Sequence, residues 1–126
     1  MQIEGATIDE LSALSIEDQD SLLAFGRPIA FRIGSAEVLA EFNREASLLS
    51  VNLAHVEGGG EGILVTLWKL IERYAQQRGY TTIQWNVHAL TCAKPNARLQ
   101  RFLRMNGFTE VEHPVYGRIL TRQTVV

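Results

Sequence analysis

Between His55 and Trp68 the chain reads HVEGGGEGILVTLW, leaving an alternating apolar run and entering a helical one. Gly58, Gly59, Gly60 and Gly62 are interrupted only by Glu61. Glycine is the residue least restricted in backbone angle, and it lets the chain pass close to another group. Where such a segment opens a helix, unpaired backbone amides and the helix's partial positive charge make a cradle for phosphate oxygens. A ligand-free turn or an interaction loop is the other use of the same glycines. The remaining reactive residues say less. Cys92 has no fixed Cys–His spacing to make it a nucleophile, and it reads as a small buried hydrophobe. His55, His88 and His113 are too scattered for a metal site, so no metal is expected.

A chain of 126 residues that is 46% hydrophobic can bury a core without disulfides or metal, and a single domain over 1–126 is expected. The formal charge of -2 gives no global signal for nucleic acid or an anionic membrane. A lone cysteine excludes an internal disulfide and fits a reducing compartment. No apolar stretch is long enough to span a bilayer, and MQIEGATIDE lacks the regions of a secretion signal. A cytoplasmic protein is expected.

The elements that position these residues follow from periodicity and end signals. MQIEGA supplies a short first strand. Thr7 caps a helix over IDELSAL with Glu10 at the capping-box spacing, and Ser15 with Asp18 repeats the signature before IEDQDSLLAF. Gly26 and Pro28 stop that second helix. Three alternating runs follow: Ile29, Phe31 and Ile33; then Val38, Ala40 and Phe42; then Leu49, Val51 and Leu53, with turns at GS and NRE. Beyond the glycines, Leu64, Leu67, Trp68, Ile71, Tyr74 and Ala75 recur at helical spacing up to Gly79. Ile83, Trp85 and Val87 share one face of a further strand. Asn96 caps a last helix with Leu99, Phe102 and Leu103 inward, NGF closes it, and the tail holds one or two strands. The fold class is α/β: a mixed, mostly antiparallel central sheet flanked by helices on both faces, in the order β-α-α-β-β-β-α-β-α-β-β.

That order, together with the residues from Leu49 to Phe108, resembles the GNAT superfamily of acyl-CoA-dependent N-acyltransferases. In that family the fourth strand enters a loop of the form Q/R-x-x-G-x-G/A, which holds the pyrophosphate of coenzyme A. Two registers fit. Glu57 at the Q/R position puts Gly60 and Gly62 on the small sites; Gly59 at that position puts Gly62 and Leu64 there. The family's helix pattern favours the second, because it alone aligns Leu67, Trp68, Ile71, Ala75 and Gly79. The basic or amide side chain is absent in both, and Glu57 and Glu61 bring negative charge to the loop. The family's later pattern N-x-x-A-x-x-x-Y-x-x-x-G-F aligns Asn96, Leu99, Leu103, Gly107 and Phe108, with Leu103 at the tyrosine that acts as general acid in many relatives.

The resemblance implies acetyl-CoA, or another acyl-CoA, as cofactor and an unidentified amine as acceptor, with a homodimer allowed. It implies contacts to the cofactor from Ala54, Val56, Gly59, Gly60, Glu61, Gly62, Ile63, Leu64, Asn96 and Leu103. Acyl transfer to an amine needs alignment, an amide to polarise the thioester carbonyl and a route for the amine's proton. His55 or Glu57 would take that proton; their plainer readings are a solvent-exposed strand-end histidine and a polar-loop glutamate. His88 would lie across the same cleft, and Tyr116 replaces the missing acid if the terminal strands bring it there. Leu103 is expected to line the cleft near the sulfur. Lys94, Arg98, Arg101 and Arg104 form a solvated helix face or a dock for the adenosine 3′-phosphate or an acidic partner. The alternative is a GNAT-fold binding or regulatory protein without catalysis.

Overall fold

A computed structural model describes residues 2–4, 13–23, 26–33, 36–57, 62–88 and 97–126. In chain order the elements are β1 (Gln2–Glu4), α1 (Ile16–Leu23), β2 (Pro28–Ile33), β3 (Ala36–Glu45), β4 (Leu48–Glu57), α2 (Gly62–Arg78), β5 (Thr82–Val87), α3 (Ala97–Met105), β6 (Thr109–His113) and β7 (Gly117–Val125). The helix expected over Ile8–Leu14 lies outside the described residues apart from a turn at Ala13 and Leu14. Among the described helices none is long and apolar enough to cross a membrane.

The seven strands form one sheet in the order β1-β2-β3-β4-β5-β7-β6. β1 pairs with β2, and β4 with β5, in parallel; the other neighbours are antiparallel. Both parallel pairs are separated in sequence by helical segments, as parallel neighbours require. The tail supplies two strands, and its hairpin pairs His113 with Gly117.

Alternation along the strands gives the sheet two different faces. Ile29, Ala40, Leu53, Val87 and Leu120 are successive cross-strand partners on one face, and all are buried. Phe42, Val51 and Trp85 form the next row, and Leu49 with Ile83 the one after. Leu23 of α1, the stripe Leu64, Leu67, Trp68, Ile71 and Ala75 of α2, and Leu99 with Leu103 of α3 join these rows in a single cluster. All three described helices therefore cover the same face, and the expected placement of helices on both faces is not seen among the described residues. The other face carries Glu41, Asn43, Ser50, Asn52, Ala54, Gln84, Asn86 and Thr121.

Trp68 joins α2 to α3 and to the terminal strands. Its ring stacks on Phe102 at 5.8 Å and on Phe108 at 5.7 Å, and it meets Trp85 edge-on at 6.4 Å. The Arg122 guanidinium lies 4.7 Å from its centroid, with Nη1 donating to the Asn106 carbonyl at the end of α3 at 3.0 Å. Burial lowers the Arg122 pKa, and Glu72 opposes that shift. A cation over an indole face recovers part of such a desolvation cost.

The helix ends follow the sequence signals. Ser15 Oγ accepts from the Asp18 amide at 3.1 Å, the N-cap bond. Gly79 and Gly107 both sit at positive φ. Each is followed by a residue whose amide donates five positions back, Tyr80 to Ala75 and Phe108 to Leu103, as in the Schellman motif. At the far end of α2, Asp20 of α1 accepts from the Tyr74 hydroxyl at 2.5 Å and takes both an Nε and an Nη2 bond from Arg78. Burial, then Tyr80, push the Tyr74 hydroxyl up to about 12, with Arg44 opposing.

The turn expected at Asn43–Glu45 is displaced. β3 continues to Glu45, which pairs with Leu48, and Ala46 and Ser47 make the turn. Phe42 is fully buried opposite Val51, which commits the strand beyond the polar run that suggested a break. Ala46 pays for this with a φ of 52°.

Two stability changes follow. Ala46→Gly removes a left-handed cost of about 1–2 kcal/mol while adding chain entropy of about 0.5–1 kcal/mol, for a net gain of roughly 0.5–1 kcal/mol in urea denaturation. Trp68→Ala costs about 3–5 kcal/mol in the same measurement; a loss below about 1 kcal/mol would contradict the packing described.

Candidate active site

Among the described residues the parallel ladder between β4 and β5 ends before β4 does. Its last paired residues are Leu53 and Val87, and the His88 amide donates to the Leu53 carbonyl at 2.9 Å as a final rung. β4 runs on to Glu57, whereas β5 has ended. On its other side β4 changes register against β3: Leu39 stands opposite Ala54, and Glu37 opposite Glu57. β4 thus carries one more residue than β3 between these rungs, which is a β-bulge spanning His55 and Val56. The described backbone of β4 past Leu53 therefore has no β5 partner and has a bulge at its centre. α2 starts at Gly62, with no acidic residue in its first turn.

The sequence-derived residues divide into three groups. Ala54, His55, Val56 and Glu57 are brought together on the unpaired end of β4, while Gly62, Ile63 and Leu64 form the first turn of α2. The side chains of His55, Val56, Glu57, Gly62 and Ile63 are outside the described set. Gly59, Gly60, Glu61 and Asn96 lie outside the described residues altogether, as do Cys92 and Lys94. Leu64 is fully buried toward the sheet, which leaves only its backbone for a ligand. Leu103 corrects an expectation. It does not line an open cleft but sits in the core at 0% exposure, because it is one turn from Leu99 on the stripe of α3 that faces the sheet.

Other proton-transfer groups do gather beside the end of β4. The His88 ring lies 4.8 Å from the Tyr116 ring at 83°, and Tyr116 lies 4.6 Å from His113. His113 Nδ1 accepts from the amides of Val115 and Tyr116 at 3.0 and 3.2 Å, which fixes the hairpin that carries the phenol. The terminal strands thus bring Tyr116 across, the condition set for it in the sequence. Burial, then His113, hold the His88 imidazole below its ordinary pKa of 6.5, favouring a neutral ring that can accept a proton.

A cavity of about 100 Å³ adjoins this cluster, with Pro28, Leu39, Glu41, Asn52, Ala54, His88 and Tyr116 in its wall. Asn52 and Glu41 escaped sequence reasoning because polar residues alternating with Leu49, Val51 and Leu53 look like an ordinary solvent face. Asn52 is instead buried, and its Oδ1 accepts from Asn86 Nδ2 at 3.0 Å. Thr121 Oγ1 and Gln84 Nε2 both donate to Asn86 Oδ1, at 3.0 and 3.2 Å, extending a polar row across the sheet. On α3, Arg98, Arg101 and Arg104 are exposed, and Arg104 approaches Glu110 at 3.8 Å.

No protein-family profile matches the chain, and no curated protein matches it in sequence. Among solved structures, the PaiA N-acetyltransferase from Thermoplasma acidophilum in complex with coenzyme A is similar at 16% identity and a TM-score of 0.45. The match covers 71% of this chain and 53% of that one. A putative N-acetyltransferase from Lactobacillus plantarum is similar at 16% identity and a TM-score of 0.42, over 71% of this chain and 59% of that one. The chain thus spans little more than half the length of these proteins.

The lowered His88 pKa has a defined consequence for stability. As pH falls below 6.5, the unfolded chain takes up a proton that folded His88 still refuses, so stability drops until the lower folded value is passed. Urea titrations across that range should show a shallower loss for His88→Gln than for the parent. Parallel curves would mean that His88 does not carry the linkage.

Proposed function

We propose that this protein is an acyl-CoA-dependent N-acyltransferase of the GNAT type, using acetyl-CoA or a related thioester and an amine acceptor. The observation that carries this reading is the separation of β4 from β5 after Leu53 and Val87, with a bulge on β4 and a helix opening a few residues later. The residues present fit a thioester of coenzyme A in one respect that matters: the start of α2 presents backbone amides with no carboxylate in its first turn. With no Q/R side chain in the loop, main-chain donors from Gly59 to Leu64 would carry the pyrophosphate. The cofactor supplies an activated acyl group.

The protein's own residues do the rest. A backbone amide of the bulged segment Ala54–Glu57 polarises the acyl carbonyl, and Ala54 and Val56 flank the pantetheine arm along the unpaired edge. The amine nitrogen bonds to the acyl carbon and the carbon–sulfur bond breaks. The nitrogen, starting as an ammonium, loses two protons, and the departing sulfur gains one. One proton of the ammonium passes to solvent before attack; His88 would accept the second, with His55 and Glu57 as alternative acceptors, and would return it to Tyr116 once the phenol has protonated the sulfur. Tyr116 gives a proton to the sulfur, the role that Leu103 cannot fill.

A binding or regulatory protein on the same scaffold is the second reading, favoured by the apolar, buried Leu103. Calorimetry with acetyl-CoA and a thiol-release assay with simple primary amines separate the two. Binding with release supports the enzyme; binding without release supports the second reading. Gly62→Val should abolish acetyl-CoA binding while keeping the fold. Tyr116→Phe should bind acetyl-CoA as the parent does and lose about 10²–10⁴-fold in turnover. Unchanged turnover would remove Tyr116 from the mechanism.

A further inference from the structure

The cavity beside His88 has a chemistry of its own. Glu41 on β3 and Asn52 on β4 are direct cross-strand partners and both line it. Asn52 is 9% exposed; its Oδ1 is engaged by Asn86, and its Nδ2 has no hydrogen-bond partner among the described residues. An amide donor that no described residue engages is available to an oxygen acceptor on a ligand. Glu41 Oε1 accepts from Asn43 Nδ2 at 3.2 Å, and Oε2 has no partner among the described residues. Glu41 is also the one acidic residue among the described residues of the cavity wall. A cation on one side and an acceptor oxygen on the other are what this pair selects. The volume of about 100 Å³ limits the guest. That volume suits a short chain rather than a folded peptide.

We propose that the cavity binds a small primary ammonium compound bearing an oxygen three bonds from the nitrogen, and that such a compound is the acyl acceptor. Glu41 pairs with the ammonium and Asn52 Nδ2 donates to the oxygen. The nitrogen is thereby held beside His88, which lines the same space. The acceptor role rests on the acyltransferase reading; the binding does not.

The test uses 2-methoxyethylamine and butylamine, which have the same heavy-atom count and differ by an ether oxygen in place of a methylene. Titration of the protein with each, followed by the Asn86 side-chain amide and the backbone amides of residues 41 and 52, reads binding in parent and variant without any thioester. The ether amine should shift those resonances and bind roughly five- to tenfold more tightly, the value of about one hydrogen bond. Asn52→Asp keeps the acceptor toward Asn86 but removes the donor, and it should erase the preference. Glu41→Gln should weaken both amines about tenfold and raise KM more than it lowers kcat, with acetyl-CoA binding unchanged. Equal binding of the two amines by the parent, or a preference that survives in Asn52→Asp, overturns the proposal. Selective amine binding with no acetyl-CoA binding overturns the acceptor role and the acyltransferase reading while upholding the site. Acyl transfer to both amines without preference does the reverse.

Discussion

The parallel pairing of β4 with β5 is the constraint on which the other features depend. Two parallel neighbours cannot be joined by a tight turn, so the chain between them must leave the sheet and cross it. It does so as α2, whose apolar stripe from Leu64 to Ala75 then has to cover one face. That crossover also fixes the geometry at the exit: the helix must begin close to where β4 ends. A strand end and a helix start are therefore adjacent for topological reasons, before any ligand is considered.

The second consequence is the division of labour between the faces. The covered face takes the large apolar residues and the aromatic group around Trp68, with the Arg122 guanidinium of β7 over the Trp68 ring. Trp68 and Trp85 each leave an indole N–H without a partner among the described residues, a cost the core bears. The opposite face carries amides and hydroxyls in a connected row from Asn52 through Asn86 to Thr121. A hydrogen-bonded row of this kind fixes side-chain positions across three strands, so the wall of the cavity is held by the sheet and not by loops.

The sequence made most of this architecture legible because periodicity and capping are local. Val38, Ala40 and Phe42, then Leu49, Val51 and Leu53, alternate cleanly, and each member is buried. Gly79 and Gly107 end their helices through the expected carbonyls. What was not legible depends on registers between distant strands. Whether Asn52 meets Glu41 or some other residue is set by the β3–β4 pairing, and Tyr116 reaches His88 only through the β5–β7–β6 arrangement. The displaced turn at Ala46 has the same origin, since the packing of Phe42 outweighed the local preference of Asn43 to Glu45. Leu103 shows the limit of a motif match: alignment with a family's tyrosine gave its position on the helix, and burial gave its direction.

The bulge on β4 places the opening of the sheet in the chain's length and not in its side chains. Between the rungs Leu39–Ala54 and Glu37–Glu57, β4 holds a single surplus residue. A backbone offset produced by surplus length tolerates wide change in residue type. It does not tolerate a change in count. Shortening His55–Val56 by one residue would let β4 and β3 pair without interruption and would reverse the alternation of everything beyond Ala54. The segment is accordingly constrained in its residue count and not in its composition.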